Sequence, residues 1–280
     1  MKTWLISGCS TGIGRAIASA ALEAGDRVAV TARRPETVAD LAETGGDRAV
    51  ALALDVTDRD AIARVVARTS EALGPIDVLV NNAGYGYMAA LEEGEDEEVR
   101  RLFDTNFFGA VDLIKEVLPG MRERRRGHIL NISSMAGLVT NPPNIYYSAS
   151  KYAIEAVTEG LAKEVAEFGI RVTAIEPGGF RTDWGTRSMK ESATPIEDYA
   201  ANVGARKELI KAFADKLPGD PRRVADAALR VTGMEDPPLH LLLGNDVIDA
   251  FRTKLKELGE LVDEWEAITR DVGFPPEDSD

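Results

Sequence analysis

The sequence predicts an α/β fold, a doubly wound parallel sheet of about seven strands with helices on both faces. Short apolar runs rich in β-branched residues alternate with amphipathic stretches, and the alternation starts at the first residues. Apolar strands separated by helices call for a sheet covered on both sides, because each crossover packs a helix back onto it. The 280 residues, 44% of them hydrophobic, are enough for one well-buried core.

Residues 4–7 read as the first strand, followed by a glycine-rich turn and a helix over about 13–24. Gly25-Asp26 ends that helix, and residues 27–31 form the next strand. A helix over roughly 36–42 leads to the strand 49–54, and Asp55–Asp58 turns into another helix. Gly74-Pro75 breaks the chain before the strand 77–80. A long helix from about Asp96 precedes the strand 128–132, and a helix from about 145 to 168 leads into the strand 170–175. Residues 239–243 read as one more strand. No linker rich in Gly, Ser or Pro and no internal repeat interrupts this pattern, so residues 1–280 are expected to form one domain. The acidic run Glu92–Glu98 and the basic run Arg122–Arg126 fall where the long helix begins and ends; both read as solvated charges that complement its dipole.

The net charge of −14 and an isoelectric point near 4.8 disfavour a nucleic-acid partner. Cys9 is the single cysteine, so no intramolecular disulfide can form. The start of the chain does not read as a signal peptide, and no apolar stretch is long enough to cross a bilayer. The expectation is a cytoplasmic protein with no membrane partner.

Two motifs carry chemistry. Ser7-Gly8-Cys9-Ser10-Thr11-Gly12-Ile13-Gly14 lies between the first strand and the first helix. Glycines there let backbone N–H groups approach a pyrophosphate at a helix N-terminus, where the dipole favours negative charge, and Ser10 and Thr11 add hydroxyl donors. By itself such a turn is also compatible with a mere tight connection. The second motif is Tyr147-Ser-Ala-Ser-Lys151. Four residues apart on a helix, the two side chains share a face, so an ammonium can stabilise a phenolate. The plain alternative is a Tyr packed on the sheet beside a solvated Lys. Tyr146 has an uncharged Ser150 four residues on and is not a candidate.

Further motifs join these: Asn81-Asn82-Ala83-Gly84 after the fourth strand, Asn106 within the long helix, and Asn131-Ile-Ser-Ser134 after the fifth strand, with Ser134 thirteen residues before Tyr147. Pro177-Gly178-Gly179-Phe180-Arg181-Thr182 follows the sixth. Together they resemble the short-chain dehydrogenase/reductase family, in its single-domain Rossmann-fold branch, and especially its 17β-hydroxysteroid-dehydrogenase-like members. The specific motifs cover residues 1–185, and the likeness is looser beyond.

The resemblance implies an enzyme that interconverts a ketone or aldehyde and an alcohol by hydride transfer. Tyr147 would be the acid/base, Lys151 would lower its pKa and bond the nicotinamide ribose, Ser134 would hold the substrate oxygen, and Asn106 would position a water-linked proton path behind Lys151. Gly8, Ser10, Thr11, Gly12, Ile13 and Gly14 would carry the pyrophosphate. Asp55 and Val56 would contact the adenine, with Asn82, Ala83 and Gly84 lining its ribose. Pro177, Gly178, Phe180 and Thr182 would meet the nicotinamide. Asp55 also suits a helix cap, and Asn81 a strand-stabilising role. The family further implies a homodimer or homotetramer paired through helices like 96–120 and 147–168.

The second strand ends Val30-Thr31-Ala32-Arg33-Arg34, with no acid to take a ribose 2′-OH. Arg33 and Arg34 offer donors for a 2′-phosphate, which points to NADP(H); as solvated loop charges they would leave NAD(H) usable too. His128 and His240, far apart in sequence, read as structural, and no His/carboxylate cluster suggests a metal. Tyr85, Tyr87, Met88, Met135 and Leu138 are candidate pocket walls, and Trp184, Met189, Tyr199 and Phe213 suggest a flap over about 183–218. Such walls suit a fairly apolar small-molecule carbonyl or alcohol. Two other readings stand beside this one: a nucleotide-sensing regulator without turnover, and an epimerase or dehydratase of the family's extended branch. The latter fits poorly with this glycine spacing and the absence of a large C-terminal domain.

Overall fold

Nine strands occur among the described residues: β1 (Thr3–Ile6), β2 (Arg27–Ala32), β3 (Ala49–Ala53), β4 (Val78–Asn81), β5 (Gly86–Met88), β6 (Gly127–Ile132), β7 (Ile170–Pro177), β8 (Met189–Glu191) and β9 (His240–Leu243). Between them lie the helices α1 (Gly12–Glu23), α2 (Ala39–Gly45), α3 (Arg59–Leu73), α4 (Asp96–Phe103), α5 (Gly109–Glu123), α6 (Ile145–Val165), α7 (Ala205–Phe213), α8 (Pro221–Thr232) and α9 (Asn245–Arg270). The computed structural model describes residues 1–182 and 188–274; no helix among them is long and apolar enough to cross a membrane.

Seven strands make one parallel sheet in the order β3-β2-β1-β4-β6-β7-β9, the doubly wound arrangement expected. Alternate residues of each strand serve opposite faces. Trp4 and Ile6 of β1 join Val28, Val30, Val78 and Val80 beneath α1 and α8. Leu5, Ala29, Leu79 and Ile129 point the other way, into a layer closed by α3, α5 and α6. The winding reverses between β1 and β4, so the loops leaving their carboxyl ends diverge and leave a crevice, where ligands bind in such sheets.

The seven expected strands all occur, with ends moved by one or two residues. Other features were not anticipated. The long helix is two helices, α4 and α5, separated by a π-helical turn over Asp104–Phe108 that carries Asn106. β5 and β8 form a small parallel pair far apart in sequence. The helix expected at 36–42 starts instead as a 3₁₀ turn, Pro35–Val38, and continues as α2.

The acidic run needs correcting most. Glu93 is buried rather than solvated: its carboxylate pairs with the buried Lys207 ammonium of α7 at 2.8 Å and accepts from the amides of Ala90 and Ile196. The pairing with Lys207 and these amides holds the Glu93 carboxyl at about 2 despite the opposing effect of burial. Glu95 bonds the Tyr87 hydroxyl, Ser192 Oγ and the Ala193 amide. These carboxylates tie the segment after β8 to the loop after β5.

Candidate active site

The loops after β1 and β4 are stitched together before any ligand is considered. Ser7 Oγ accepts from the amides of Asn82 (2.9 Å) and Ala83 (3.0 Å), and Asn82 Nδ2 donates to the carbonyls of Ser7 (3.0 Å) and Gly8 (2.9 Å). Gly8 has φ +74°, and a Cβ there would lie 3.0 Å from Ala83 Cα, so only glycine suits both the backbone and the approach. Gly12, at φ +62°, opens α1, whose first turn holds no acidic residue. The positive helix end therefore faces a cavity of about 1090 Å³, larger than an ordinary small-molecule pocket.

Gly8, Ser10, Thr11, Gly12 and Ile13 form one wall of that cavity. Gly14 does not: it is buried against Asn82 and Gly8, and a side chain would collide with Asn82 Nδ2. It packs tightly behind that wall. Arg33 and Arg34 stand exposed on the rim at the end of β2. Arg34 is 3.9 Å from Glu36, whereas Arg33 has no carboxylate within ion-pair reach among the described residues. Asp55 and Val56 lie close by; Asp55 Oδ1 accepts from the Thr57 amide and hydroxyl, and Asp58 rather than Asp55 caps α3. Asn82, Ala83 and Gly84 continue the wall, as do Pro177, Gly178, Phe180 and Thr182. Asn81 Nδ2 donates to Asn131 Oδ1, and Asn131 Nδ2 to Thr158 Oγ1, a strand-to-helix tie like the one expected of Asn81.

At the other end the cavity reaches Ser134, Tyr147 and Lys151. Lys151 Nζ donates to the Ile132 carbonyl at 2.7 Å and lies 5.7 Å from the centroid of the Tyr147 ring. Full burial pushes the Lys151 ammonium down to about 8, against the opposing charge of Glu155. Ser134 Oγ accepts from the Ala136 amide at 3.1 Å, which leaves its proton available to an oxygen in the cavity. Tyr146 turns away, donating to the Leu91 carbonyl at 2.6 Å.

Asn106 is buried and does not reach the cavity wall. Its Oδ1 accepts from the Tyr85 amide (3.0 Å), and its Nδ2 donates to the Tyr85 carbonyl (2.9 Å) and Ser150 Oγ (3.2 Å). It fastens the loop after Gly84 to α6. Of the expected pocket walls, Tyr85 lines the cavity, but Tyr87 and Met88 are buried and do not line it, and Met135 and Leu138 are not on the wall. Among the suggested flap residues Trp184 lies outside the described residues, and Met189, Tyr199 and Phe213 do not line the cavity. Ser188, Lys190 and Leu217 do. Lys190 sits 5.0 Å over the Tyr85 ring and 2.9 Å from Glu98. No sequence signal marked it, because the β5–β8 pairing that delivers it joins segments a hundred residues apart. Arg100 and Arg101 at the end of α4 also border the cavity; the sequence reading did not single them out.

Residues 2–193 match the family model described as short chain dehydrogenase. The chain belongs to that family. It is 38% identical to oxidoreductase BOA17 of Botryotinia fuckeliana over 269 residues, 96% of this chain and 98% of that protein. The crystal structure of a short-chain dehydrogenase from Streptomyces avermitilis superposes with a TM-score of 0.92 at 43% identity, covering 98% and 99% of the two chains. The closed form of a serine dehydrogenase complexed with NADP⁺ superposes with a TM-score of 0.75 at 28% identity, covering 86% and 94%. As a short-chain dehydrogenase, this protein is an oxidoreductase acting on CH–OH and C=O groups.

The histidine reading needs one correction in this short-chain dehydrogenase. His128 is structural as expected, bonded to Thr173 Oγ1 at 3.0 Å, and its burial holds the imidazole down to about 4. His240 belongs to a His/carboxylate cluster that sequence distance concealed. Its Nδ1 lies 2.7 Å from Glu176 Oε1 and 3.5 Å from Glu155 Oε2, and Glu159 approaches Nε2 at 3.7 Å. Glu155 is one turn beyond Lys151, and Glu176 immediately precedes Pro177. Burial pushes both carboxyls above their ordinary range, and the Glu176 charge raises Glu155 further. A folded-state pKa above the unfolded one means that the native protein holds extra protons as pH climbs from the ordinary carboxylate range into the raised one. Stability falls across that window. Glu176→Gln removes one buried ionisation, so its melting temperature relative to wild type should be higher at about pH 9 than at about pH 5. A difference independent of pH in thermal melts would remove the buried-charge explanation.

Proposed function

We propose that this enzyme reduces a ketone or aldehyde, or oxidises the corresponding secondary or primary alcohol, with NADP(H) as the preferred partner. The observation that carries this reading is one cavity with the α1 N-terminus and Arg33 at one end and Ser134, Tyr147 and Lys151 at the other. A bound nicotinamide supplies or accepts the hydride. In the reductive direction Ser134 donates a hydrogen bond to the carbonyl oxygen, and Tyr147 delivers the proton that converts the developing alkoxide to an alcohol. Lys151, buried and cationic below about pH 8, stabilises the phenolate left on Tyr147. Asn106 supports this arrangement by holding Tyr85 and Ser150 in place.

The described part of the excursion between Phe180 and Gly219, which closes on itself through the Arg181 amide and the Gly219 carbonyl at 2.8 Å, serves as the substrate cover. Tyr85, Phe180 and Leu217 give the cavity apolar surface consistent with a fairly apolar carbonyl compound. A regulator that senses nucleotide without turnover is the less favoured reading, since the chain belongs to an oxidoreductase family. A panel of ketones, aldehydes and alcohols followed by nicotinamide absorbance tests the activity; no turnover with either NADPH or NADP⁺ across short and long apolar substrates would refute it.

Cofactor preference has its own test. Arg33 carries no competing carboxylate among the described residues, so its guanidinium is the group best placed to meet a 2′-phosphate. A charge-assisted hydrogen bond contributes roughly 1.5–3 kcal/mol, so Arg33→Ala should weaken NADPH binding about ten- to a hundredfold and barely change NADH. Wild-type kcat/KM higher with NADH than with NADPH would overturn the assignment.

A further inference from the structure

We propose that the outer part of α9 pairs antiparallel with α9 of a second copy of this chain, forming a homodimer through a short coiled coil. The helix starts on the body of the protein: Val247 is buried, and Lys254 Nζ donates to the Leu138 carbonyl at 2.5 Å. From Leu255 onward every described residue is exposed. The remaining turns of α9, about 24 Å of helix, therefore pack on nothing among the described residues. Yet this stretch carries an apolar stripe, with Leu255, Leu258, Leu261, Val262, Trp265 and Ile268 each 45–65% exposed.

The stripe has a heptad spacing. Ile248, Phe251, Leu255, Leu258, Val262 and Trp265 alternate steps of three and four, the a and d positions of a coiled-coil seam. A second copy is the occupant that this seam fits, because it is self-complementary about a twofold axis near Glu260. Leu258 then faces Val262 of the second copy, and Leu255 faces its Trp265, a smaller side chain against a large one in each layer. Arg252 and Glu266 both occupy e positions, which flank one another in an antiparallel pair, so the symmetry brings opposite charges together twice. Parallel pairing would instead oppose Trp265 to Trp265 and leave Arg252 without an acid. An anionic lipid surface fits poorly, since α9 holds seven carboxylates against four cations.

Sedimentation equilibrium of the full chain, from about 0.1 to 100 μM, tests the proposal across the affinity range of ordinary dimers. Wild type should self-associate, and Leu258→Glu should halve the weight-average mass with unchanged circular dichroism and unchanged kcat. Arg252→Glu should weaken association at low salt, and Arg252→Glu/Glu266→Arg should recover it. A monomeric wild type would overturn the proposal. So would a mass unchanged by Leu258→Glu, which would place assembly on other helices. Equally adverse would be a monomer that binds vesicles of phosphatidylcholine and phosphatidylserine through this face.

Discussion

Tyr147→Phe is expected to lower kcat for carbonyl reduction by about 10²–10⁴-fold while leaving NADPH affinity within a fewfold of wild type. The phenol hydroxyl is the proton donor in the proposed reaction, and phenylalanine keeps the ring that packs beside Lys151. Lys151→Ala should damage both turnover and cofactor binding, because the ammonium is assigned to the phenolate and to the nicotinamide ribose. Single-turnover kinetics with NADPH would separate the two effects. A kcat near wild type in Tyr147→Phe on a good substrate would make the acid/base assignment untenable.

Ser134→Ala should cost about 10²–10³-fold in kcat, the usual consequence of removing a hydrogen-bond donor aimed at a developing oxyanion. Two roles meet at this hydroxyl, since Ser134 Oγ also accepts the Ala136 amide at the start of a 3₁₀ turn. Losing that cap costs about 0.5–2 kcal/mol of stability, so melting and activity should be measured together. Ser134→Thr keeps a hydroxyl and should recover much of the activity. Ser133 borders the same cavity, but its side chain is packed beside Gly137 and Glu155: a Cβ on Gly137 would lie 2.7 Å from Ser133 Oγ and 3.0 Å from Glu155 Oε1. Ser133→Ala is therefore expected to act mildly and through stability. Equal losses of kcat at the two positions, with both folds intact, would undo the distinction.

The seven-strand sheet was legible because parallel strands buried on both faces have to be apolar, and that requirement writes itself into short local runs such as residues 28–30 and 129–132. The glycine turn and the Tyr147/Lys151 pair were legible for a related reason, since each depends on one turn or one helical face. What the local pattern could not convey was partnership across long stretches of chain. Glu93 looks like any residue of an acidic helix start until α7, more than a hundred positions later, brings Lys207 against it. Glu155, Glu176 and His240 come from α6, β7 and β9 and meet only because β7 and β9 are neighbours in the sheet.

Asn106 shows the same limit within one segment. Its identity was readable, but the π turn that aims its amide at Tyr85 and Ser150 depends on how α4, α5 and α6 pack. The periodicity of short apolar runs determined the sheet, and local motifs carried the family resemblance, which in turn implied the residues at both ends of the cavity, because backbone geometry and helical spacing act over a few residues. Tertiary structure alone decided which charges are buried, which glycine is packed behind the cavity wall, and which apolar stripe is left open on α9. Burial and electrostatic partnership are set by elements that approach from elsewhere in the chain, and no local window of sequence contains them.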